Sequence, residues 1–359
     1  NIDVAYGTAC LTGKNSLTVE SPDGTSNFEA RQIIIAAGSL PQSLPVTGGD
    51  LPGVVSSDDM LAMTELPASL AVIGAGAVGI EFATICRSFG CEVAVLEMMP
   101  GILPNLDGDI VKRMGLVLRK AGIKMLTGVK VTAIRQEGGG LTVLTRNAKG
   151  EQEIMAEKVL VASGRRPNVA GLGLESAGVA FSAKGITVDE SLRTNVDNIY
   201  AIGDVTGSYM WAHAASAEGV VAAENALGAS RVMDYRAVPG CIYTKPEIAS
   251  VGLTEEQAQA AKLDVKVSRF NFAVNGKAVT MGEPDGLVKV VDAIGGVEYN
   301  VEESFDLDGV HFEKGLQTLD GKKALLYCRV RKNITSGQDI DRVGRQQRFL
   351  LTVFNQLRS

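Results

Sequence analysis

The chain has few cysteines and no long uncharged apolar segment. Its 359 residues include five cysteines, at positions 10, 86, 91, 241 and 328. They are too few and too scattered for the disulfide framework of a secreted protein, so we expect a reducing, cytoplasmic environment. No run of about 18 uncharged apolar residues occurs, which predicts no membrane span. The opening NIDVAYGTAC has neither the basic nor the apolar region of a signal peptide.

Charge is unevenly distributed along the chain. The net charge of −6 argues against nucleic acid as the main partner. Residues 329–359 carry seven Arg or Lys against two Asp, a local charge of +5, so the rest of the chain sums to −11. A chain of this length suits two or three domains. A basic end on an acidic body indicates that the chain is not one unit.

A glycine-rich turn lies between two apolar segments. Residues 70–97 read LAVIGAGAVGIEFATICRSFGCEVAVLE, which predicts a buried strand, a turn, a helix and a second strand. Gly74, Gly76 and Gly79 have G-x-G-x-x-G spacing. Within the predicted helix, apolar residues recur at helical intervals, and a glycine ends it: Val78, Phe82, Ile85, Phe89 and then Gly90. The alternative is a glycine-rich turn in some other α/β protein.

Each residue of this motif suits a dinucleotide. Gly74 allows the tight turn, Gly76 lets the backbone approach a pyrophosphate, and Gly79 lets the helix pack closely on the strand. The phosphates would lie at the helix N-terminus. Glu97 lies 18 residues after Gly79, where a carboxylate accepts hydrogen bonds from the adenosine ribose and repels a 2′-phosphate. The motif therefore predicts an NAD site that favours NAD over NADP.

Two other segments resemble each other. IIIAAGS (33–39) and VLVASGR (159–165) are apolar, β-rich runs that end in Ala-x-Gly, as do strands that close nucleotide domains in enzymes with two dinucleotides. The second run has its glycine motif upstream at Gly74, whereas the 32 residues before the first run have none. We therefore expect the missing half of the first domain to precede Asn1.

A further strand and helix are predicted downstream. NIYAIGDVTG (198–207) reads as a strand that ends near Asp204, and residues 210–228 read as an alanine-rich helix. Asp204 is either a turn or cap residue or, at the carboxyl end of a strand in an α/β sheet, a ligand for a ribityl hydroxyl.

Five motifs together carry a family resemblance: VIGAGAVGIE, VASGRRPN, YAIGDV, AHAASAEG and YTKPEIASVG. Over residues 1 to about 292 the chain resembles the pyridine nucleotide–disulfide oxidoreductases, and within them the dihydrolipoamide dehydrogenases. FNFAVNGKAVTMGEPDGLVKVV (270–291) continues the likeness. The resemblance implies FAD and NAD as cofactors, a homodimer, and a lipoyl-bearing acyltransferase subunit of a 2-oxoacid dehydrogenase or glycine cleavage system as partner. Glutathione reductases look similar but carry basic residues near the position of Glu97.

The resemblance also implies which residues contact the cofactors. For NAD they are Gly74, Gly76, Gly79, Glu97, Val131, Ala162 and Gly164, with Arg165 beside them. For FAD they are Asp204 and Ala212, with Gly7 and Gly38 near its adenosine end. Glu81 resembles a family glutamate that pairs with a lysine beside the flavin.

We expect none of the catalytic residues within this sequence. CRSFGC (86–91) has the C-x₄-C spacing of the family's redox pair, but Cys86 would lie at a helix C-terminus, whose negative field disfavours a thiolate. The family's pair follows its FAD motif, which would precede Asn1, and its His–Glu base would follow residue 292. His213 reads as structural. The 359 residues alone should therefore be inactive.

The last segment resembles a second family. GGVE, LDGKKALLYCRVR and DIDRVGRQQR, within residues 292–359, resemble the C-terminal part of LytR–CpsA–Psr proteins, which transfer glycopolymers from polyprenyl pyrophosphate to the cell wall. The resemblance implies that a pyrophosphate is held by Arg329, Arg331, Arg342 and Gln346; guanidinium groups suit that ligand. The alternative is a solvated basic helix.

The predicted fold is α/β, with two Rossmann-like dinucleotide-binding domains, the FAD one incomplete, a partial α+β interface domain and a foreign α/β tail. The predicted segments are 1–56 and 174–238 (FAD domain), 57–173 (NAD domain), 239–291 (interface) and 292–359 (tail), with a seam between two genes near 286–297. Three functions compete: a flavin-dependent dehydrogenase or another disulfide oxidoreductase present as a fragment, a bare NAD-binding module, and, from the tail alone, a glycopolymer transferase.

Overall fold

The computed structural model describes residues 2–292, 297–301, 304–307, 309–320, 323–324, 326–327, 349 and 352. The chain divides into two compact units. The first comprises Asn1–Ile102 and Gly122–Gly240, and the second Leu103–Ala121 and Cys241–Ser359. Residues 103–121 lie within the NAD domain predicted from the sequence but group with the second unit. The finer domain boundaries stay predictions.

The first unit contains both strands and helices, with several strands following one another directly. Its strands are β1 (Thr8–Leu11), β2 (Ser16–Ser21), β3 (Gly24–Glu29), β4 (Ile33–Ile35), β5 (Ser39–Pro41), β6 (Val54–Val55), β7 (Ser69–Ile73), β8 (Glu92–Glu97), β9 (Lys124–Thr127), β10 (Lys130–Glu137), β11 (Gly140–Asn147), β12 (Gly150–Ala156), β13 (Lys158–Val161), β14 (Arg165–Pro167), β15 (Phe181–Ser182), β16 (Gly185–Ile186) and β17 (Ile199–Ala201). Its helices are α1 (Ser57–Ala62), α2 (Ala77–Ser88), α4 (Leu174–Ala177) and α5 (Ala212–Ala226).

The second unit begins with α3 (Gly108–Lys120). It continues with β18 (Gly240–Ile242), β19 (Ile248–Ser250), α6 (Glu255–Ala260), β20 (Lys266–Asn271), α7 (Gly276–Thr280), β21 (Leu287–Asp292), β22 (Val297–Val301), β23 (Phe305–Leu307), β24 (Val310–Phe312) and β25 (Gly315–Leu319). In the part of the chain that is described, no helix is long and apolar enough to cross a membrane.

A five-stranded parallel sheet forms the centre of the first unit. Its strand order is β6-β13-β7-β8-β9, and every neighbouring pair is parallel. A parallel sheet needs strands that are apolar on both faces, and residues 70–73 are all buried. Ala71, Leu96 and Val159 pack in one apolar cluster with residues of the antiparallel sheet β10-β11-β12. The strand–helix–strand predicted over residues 70–97 is confirmed.

The buried face of α2 is not the apolar row that the sequence makes most visible. Ile85 and Phe89 are 46% and 74% exposed. The residues that face the core each follow a residue of that apolar row by one or two positions, and most are small: Gly79, Ile80, Ala83 and Cys86. The helix is apolar on most sides, so periodicity predicts a helix without fixing its rotation. Glycine and alanine allow the close approach to β7 that fixes it.

Besides the five-stranded sheet, the first unit contains a parallel pair of strands, β4 and β17. β17 pairs with β4 in parallel register, from Ile199 opposite Ile33 to Ala201 opposite Ile35. Ile35, Ile199 and Ala201 are buried in an apolar cluster with Leu174 and Val205. The five-stranded parallel sheet with α2 and the parallel pair β4–β17 with α5 confirm the Rossmann-like α/β fold class.

Residues after 296 have an apolar cluster of their own. β22 pairs with β25, and β23 with β24, both antiparallel. Their buried side chains pack with those of the described residues near the end of the chain: Val297, Tyr299, Val301, Phe312, Leu319, Leu326, Tyr327 and Phe349. No residue of 241–292 belongs to this cluster as described, which agrees with a distinct C-terminal part.

Candidate dinucleotide site

The glycine turn connects β7 to α2 at the carboxyl edge of the parallel sheet. Gly74 has a φ of +107°, and a side chain there would collide with the carbonyl of Ala162. A side chain at Gly79 would collide with the carbonyl of Gly74. Gly76, the N-cap of α2, faces open space: a Cβ there would meet nothing within 4 Å. Two glycines are thus required by the fold, and the third leaves room for a ligand at the helix N-terminus.

Glu97 ends β8 beside this turn. One carboxylate oxygen accepts a hydrogen bond of 2.7 Å from the Ala75 amide, and the other accepts one of 2.7 Å from the Met99 amide. Both bonds fix the orientation of the carboxylate. Each oxygen has a second lone pair that can accept from a ribose hydroxyl. The structure therefore brings Glu97 to the glycine turn, as the sequence predicts.

The other predicted NAD residues lie on neighbouring strands. Ala162 follows β13, and its amide donates to the Ile73 carbonyl at 2.8 Å, next to Gly74. Gly164 has a φ of +126°, and its carbonyl accepts from the Gln42 amide. Val131 is buried in the apolar cluster under the sheet.

Arg165 belongs to a different group of contacts. Its Nε donates to the Ser39 hydroxyl at 2.7 Å, and one terminal nitrogen lies 3.2 Å from Asp58. The Ser39 hydroxyl in turn donates to Asp204 Oδ2 at 2.6 Å. Arg165 is therefore connected through one hydroxyl to the predicted FAD residue Asp204.

Asp204 lies in a short 3₁₀ turn, Gly203–Thr206, directly after β17. Gly203 has a φ of +69°. Its amide donates at 2.6 Å to Glu218, a glutamate of α5 that is fully buried. Ala212 is the first residue of α5, so the turn and the helix that carry the two predicted FAD residues are joined by Glu218.

Sequence reasoning missed Glu218 and Ser39. A single carboxylate in the otherwise small and apolar run ASAEGVVAA was the available signal for Glu218, since a buried charge needs partners. Ser39 has no such signal, because its partners come from residues 126 and 165 positions away.

The remaining predicted cofactor residues lie on separate segments. Gly7 has a φ of +153° and lies against Glu20 and Val19 of β2, where a side chain would collide. Gly38 has a φ of +68°, and its carbonyl accepts from the Asn168 amide at 3.0 Å. Glu81 lies within α2.

Cys86 and Cys91 are both buried and are free thiols. Burial raises the pKa of the Cys86 thiol. Burial, followed by the neighbouring Cys86, raises the pKa of Cys91 to about 11. Cys86 lies in the last turn of α2, and its carbonyl accepts from the Cys91 amide. These surroundings disfavour a thiolate, in agreement with two inert packing cysteines.

His213 in α5 contacts the Pro239 carbonyl through Nε2 at 2.6 Å. On the exposed side of the hairpin β23–β24, His311 lies 2.9 Å from Asp306. The predicted pyrophosphate residues lie outside the described residues: Arg329, Arg331, Arg342 and Gln346.

The first unit thus contains two nucleotide-binding features. One is the glycine turn at the parallel sheet with Glu97 at the end of the next strand, and the other is the turn after β17 that is bonded to the buried Glu218. Together they indicate an α/β protein that binds two dinucleotides. Residues 1–219 match the pyridine nucleotide-disulphide oxidoreductase family, and residues 238–294 match its dimerisation domain. The chain belongs to this family. Residues 268–359 match the LytR_cpsA_psr family, so the two matches overlap from 268 to 294.

Curated relatives include dihydrolipoyl dehydrogenases. The protein of that name from Mycobacterium leprae is 40% identical over 313 residues, covering 83% of this chain and 67% of the relative. One from Rhizobium etli is 41% identical, covering 81% and 64%. The chain thus spans about two-thirds of the length of these relatives.

Solved structures agree with the fold. The Cu(II) complex of the HOCl-induced flavoprotein disulfide reductase RclA from Escherichia coli matches with a TM-score of 0.74 and 31% identity, over 81% of this chain and 66% of that one. LpdA from Mycobacterium tuberculosis matches with a TM-score of 0.73 and 26% identity, over 80% and 64%.

Proposed function

We propose that residues 1–292 are the NAD-binding part and a portion of the FAD-binding part of an FAD-dependent, NAD-linked dihydrolipoamide dehydrogenase. The observation that carries the proposal is the contact between Glu97 and the Ala75 amide inside the glycine turn. It places a fixed carboxylate beside a helix N-terminus with an open glycine, which is the arrangement that a dinucleotide with a free 2′-hydroxyl requires. The names of the relatives support the choice of activity.

In this proposal each part of the site has one task. The α2 N-terminus at Gly76 binds the NAD pyrophosphate, and Glu97 accepts from the adenosine ribose. Asp204 and the N-terminus of α5 at Ala212 contact FAD, with Gly7 and Gly38 toward its adenosine. FAD, when bound, supplies the transfer of electrons between a dithiol and NAD. The residues of this chain bind and orient the two cofactors.

The same proposal assigns no dithiol chemistry to Cys86 and Cys91. Their burial and raised thiol pKa values leave little thiolate at neutral pH. We therefore expect no lipoamide turnover that depends on them. The Cys86→Ser, Cys91→Ser double variant should match the parent in NADH-to-lipoamide assays. Turnover in the parent that the double variant loses would contradict this assignment.

The proposed partners are those of the family. The match to a dimerisation domain supports a homodimer, and the name of the relatives supports a lipoyl-bearing acyltransferase subunit as partner. A reducing, cytoplasmic location fits both.

Titration of the protein with NAD and NADP by calorimetry tests the proposal, with flavin absorbance of the purified protein as a second readout. We expect NAD to bind at least about tenfold more tightly, since a charged acceptor is worth roughly that much to a hydroxyl donor. Equal affinities would contradict the role of Glu97. Bound NAD without flavin would favour a bare NAD-binding module.

A second candidate function rests on the match of residues 268–359 to the LytR_cpsA_psr family. The tail would hold a polyprenyl pyrophosphate through Arg329, Arg331, Arg342 and Gln346. Binding of a short-chain prenyl pyrophosphate that is lost in Arg329→Ala, Arg331→Ala would support this function.

A further inference from the structure

Glu218 is the one fully buried acidic side chain among the described residues, with 0% of its surface exposed. Burying a carboxylate is costly unless hydrogen bonds stabilise it. Both oxygens of Glu218 have a donor: the Gly203 amide reaches Oε2 at 2.6 Å, and the Tyr235 hydroxyl reaches Oε1 at 2.7 Å. A buried carboxylate with a donor at each oxygen therefore links the two segments that carry those donors.

The first of these bonds acts on the turn that carries Asp204. Gly203 has a left-handed φ of +69°, a conformation that glycine adopts without strain. The bond from its amide to Glu218 holds that conformation, and with it the direction in which the next residue leaves β17. Asp204 itself is oriented from the other side by the Ser39 hydroxyl at 2.6 Å.

The second bond acts on the segment after α5. Tyr235 stacks on Tyr209, with ring centroids 4.5 Å apart and planes inclined by 6°. Tyr209 lies between the Asp204 turn and the start of α5 at Ala212. Burial, and then the bond to Glu218, raises the pKa of the Tyr235 hydroxyl. This hydroxyl therefore stays a donor across the usual pH range.

We propose that Glu218 is a positioning residue that holds the Gly203–Asp204 turn and the N-terminus of α5 in one fixed arrangement. The inference rests on the proposed function in so far as this arrangement serves FAD. Glu218 acts through the length of its side chain and its two hydrogen bonds, because each of its oxygens already accepts from a group of the protein.

Amide hydrogen exchange on the whole chain tests this without any cofactor. In Glu218→Ala the Gly203 amide should exchange roughly ten- to hundredfold faster than in the parent, the range expected when a bond to a charged acceptor is removed. In Glu218→Gln the amide oxygen still accepts from Gly203 and the amide nitrogen donates to Tyr235, so exchange should stay within about fivefold of the parent. Glu224→Ala is the matched control, because this glutamate of the same helix pairs with Arg231 at the surface.

Glu218→Asp replaces Glu218→Ala if the latter does not fold. Aspartate keeps the charge but is one methylene shorter, so it should lose the protection of Gly203 while Glu218→Gln keeps it. An unchanged Gly203 amide in the alanine or aspartate variant would overturn the proposal, as would a glutamine variant that opens as much as they do.

Titration with FAD adds the functional readout, with the expected order of affinity being parent, then Glu218→Gln, then Glu218→Ala or Glu218→Asp. If the parent itself does not bind FAD, the flavin assignment under the proposed function fails, and the exchange result alone decides whether Glu218 positions the turn.

Discussion

At the scale of single residues, Glu97 should determine which nicotinamide cofactor binds. Its carboxylate accepts from the Ala75 and Met99 amides, so alanine at this position removes the predicted acceptor for the ribose together with one bond to the glycine turn. We expect Glu97→Ala to weaken NAD roughly ten- to hundredfold and to bring the affinities for NAD and NADP closer together. Calorimetric titration with both cofactors measures this.

Glu92→Ala is the control for that variant, since Glu92 begins the same strand at its exposed end. It should leave both affinities unchanged. An equal loss in both variants would mean that β8 is destabilised and that Glu97 has no specific role.

Alanine substitutions at Gly76 and Gly79 should have different effects, the first on ligand binding and the second on the stability of the fold. Alanine at Gly79 would collide with the Gly74 carbonyl, so Gly79→Ala should destabilise the protein by about 1–3 kcal/mol, the usual cost of overpacking. Alanine at Gly76 meets nothing within 4 Å, so Gly76→Ala should change the free energy of unfolding by less than about 1 kcal/mol and still abolish measurable NAD binding. Urea unfolding and NAD titration of the two variants check this. Full NAD affinity in Gly76→Ala would show that the phosphates do not approach this position.

At the scale of elements, the second unit contains an ion cluster that joins α3, α6 and the hairpin β20–β21. The Lys289 ammonium lies 2.8 Å from Asp107, 2.8 Å from Asp109 and 2.6 Å from Glu255, and its side chain is 5% exposed. Arg269 also contacts Asp109 and Glu255. Three carboxylates around a nearly buried ammonium are strongly coupled to it.

Removing that ammonium should therefore be costly. We expect Lys289→Met to destabilise the protein by about 3 kcal/mol, the lower end for breaking a buried ion pair, because Asp109 and Glu255 are partly hydrated. Lys120→Met is the control, since Lys120 pairs with Asp285 at the exposed surface and should cost less than about 1 kcal/mol. Equal midpoints of urea unfolding for the two variants would contradict the prediction.

The same cluster predicts a pH dependence. Burial opposes the charged form of Asp107, but hydrogen bonds from Lys289 and from backbone amides lower its pKa below 3.8; bonds from Lys289 and Arg269 lower the pKa of Asp109. Because these folded-state pKa values lie below the unfolded ones, the stabilisation is complete above about pH 4 and is lost as the pH falls through the folded-state values. The difference between parent and Lys289→Met should therefore shrink below that pH in urea unfolding at pH 2–7. A constant difference would contradict it.

Local patterns in the sequence predict some of these elements and not others. β7, α2 and β8 follow from residues 70–97 because the turn glycines, the helical spacing and the terminal acid are all close together in the chain. The rotation of α2 about its axis cannot be predicted from the sequence, since the burial of Gly79 and Ala83 depends on packing against the sheet. The cluster around Lys289 does not follow either, because its members come from positions 107 to 289 and meet only after folding.

At the scale of the whole molecule, the family match changes within residues 268–294, shortly before the apolar cluster that begins at Val297. The matches overlap from 268 to 294. Within the second unit, Lys289 and Arg269 tie the hairpin β20–β21 to α3 and α6, whereas the cluster that begins at Val297 contains no residue of 241–292 as described. We therefore expect the hairpin to belong with the part that matches the oxidoreductase family, and the join to lie after it.

We expect that join to be artificial or recombinational. Amplification of genomic DNA across the codons for residues 270–320 should give no continuous reading frame if two separate genes were joined artificially. The two parts should also be easy to separate by proteolysis, because cores that evolved apart lack matched faces. Limited proteolysis should cleave between the two parts and leave NAD binding within about twofold, since every predicted NAD residue precedes residue 166. A single intact reading frame with a protease-resistant tail would mean that the fusion is genuine.

The small parallel pair β4–β17 has a consequence for the chain in concentrated solution. Among the described residues no strand pairs with the outer side of β4, and Ile34 on that strand is 38% exposed. An unpaired strand of this kind presents a row of amide and carbonyl groups to any extended segment that arrives. Another copy of the chain is the nearest such segment during overexpression, so we expect strand pairing between copies to limit the concentration at which the protein stays monodisperse.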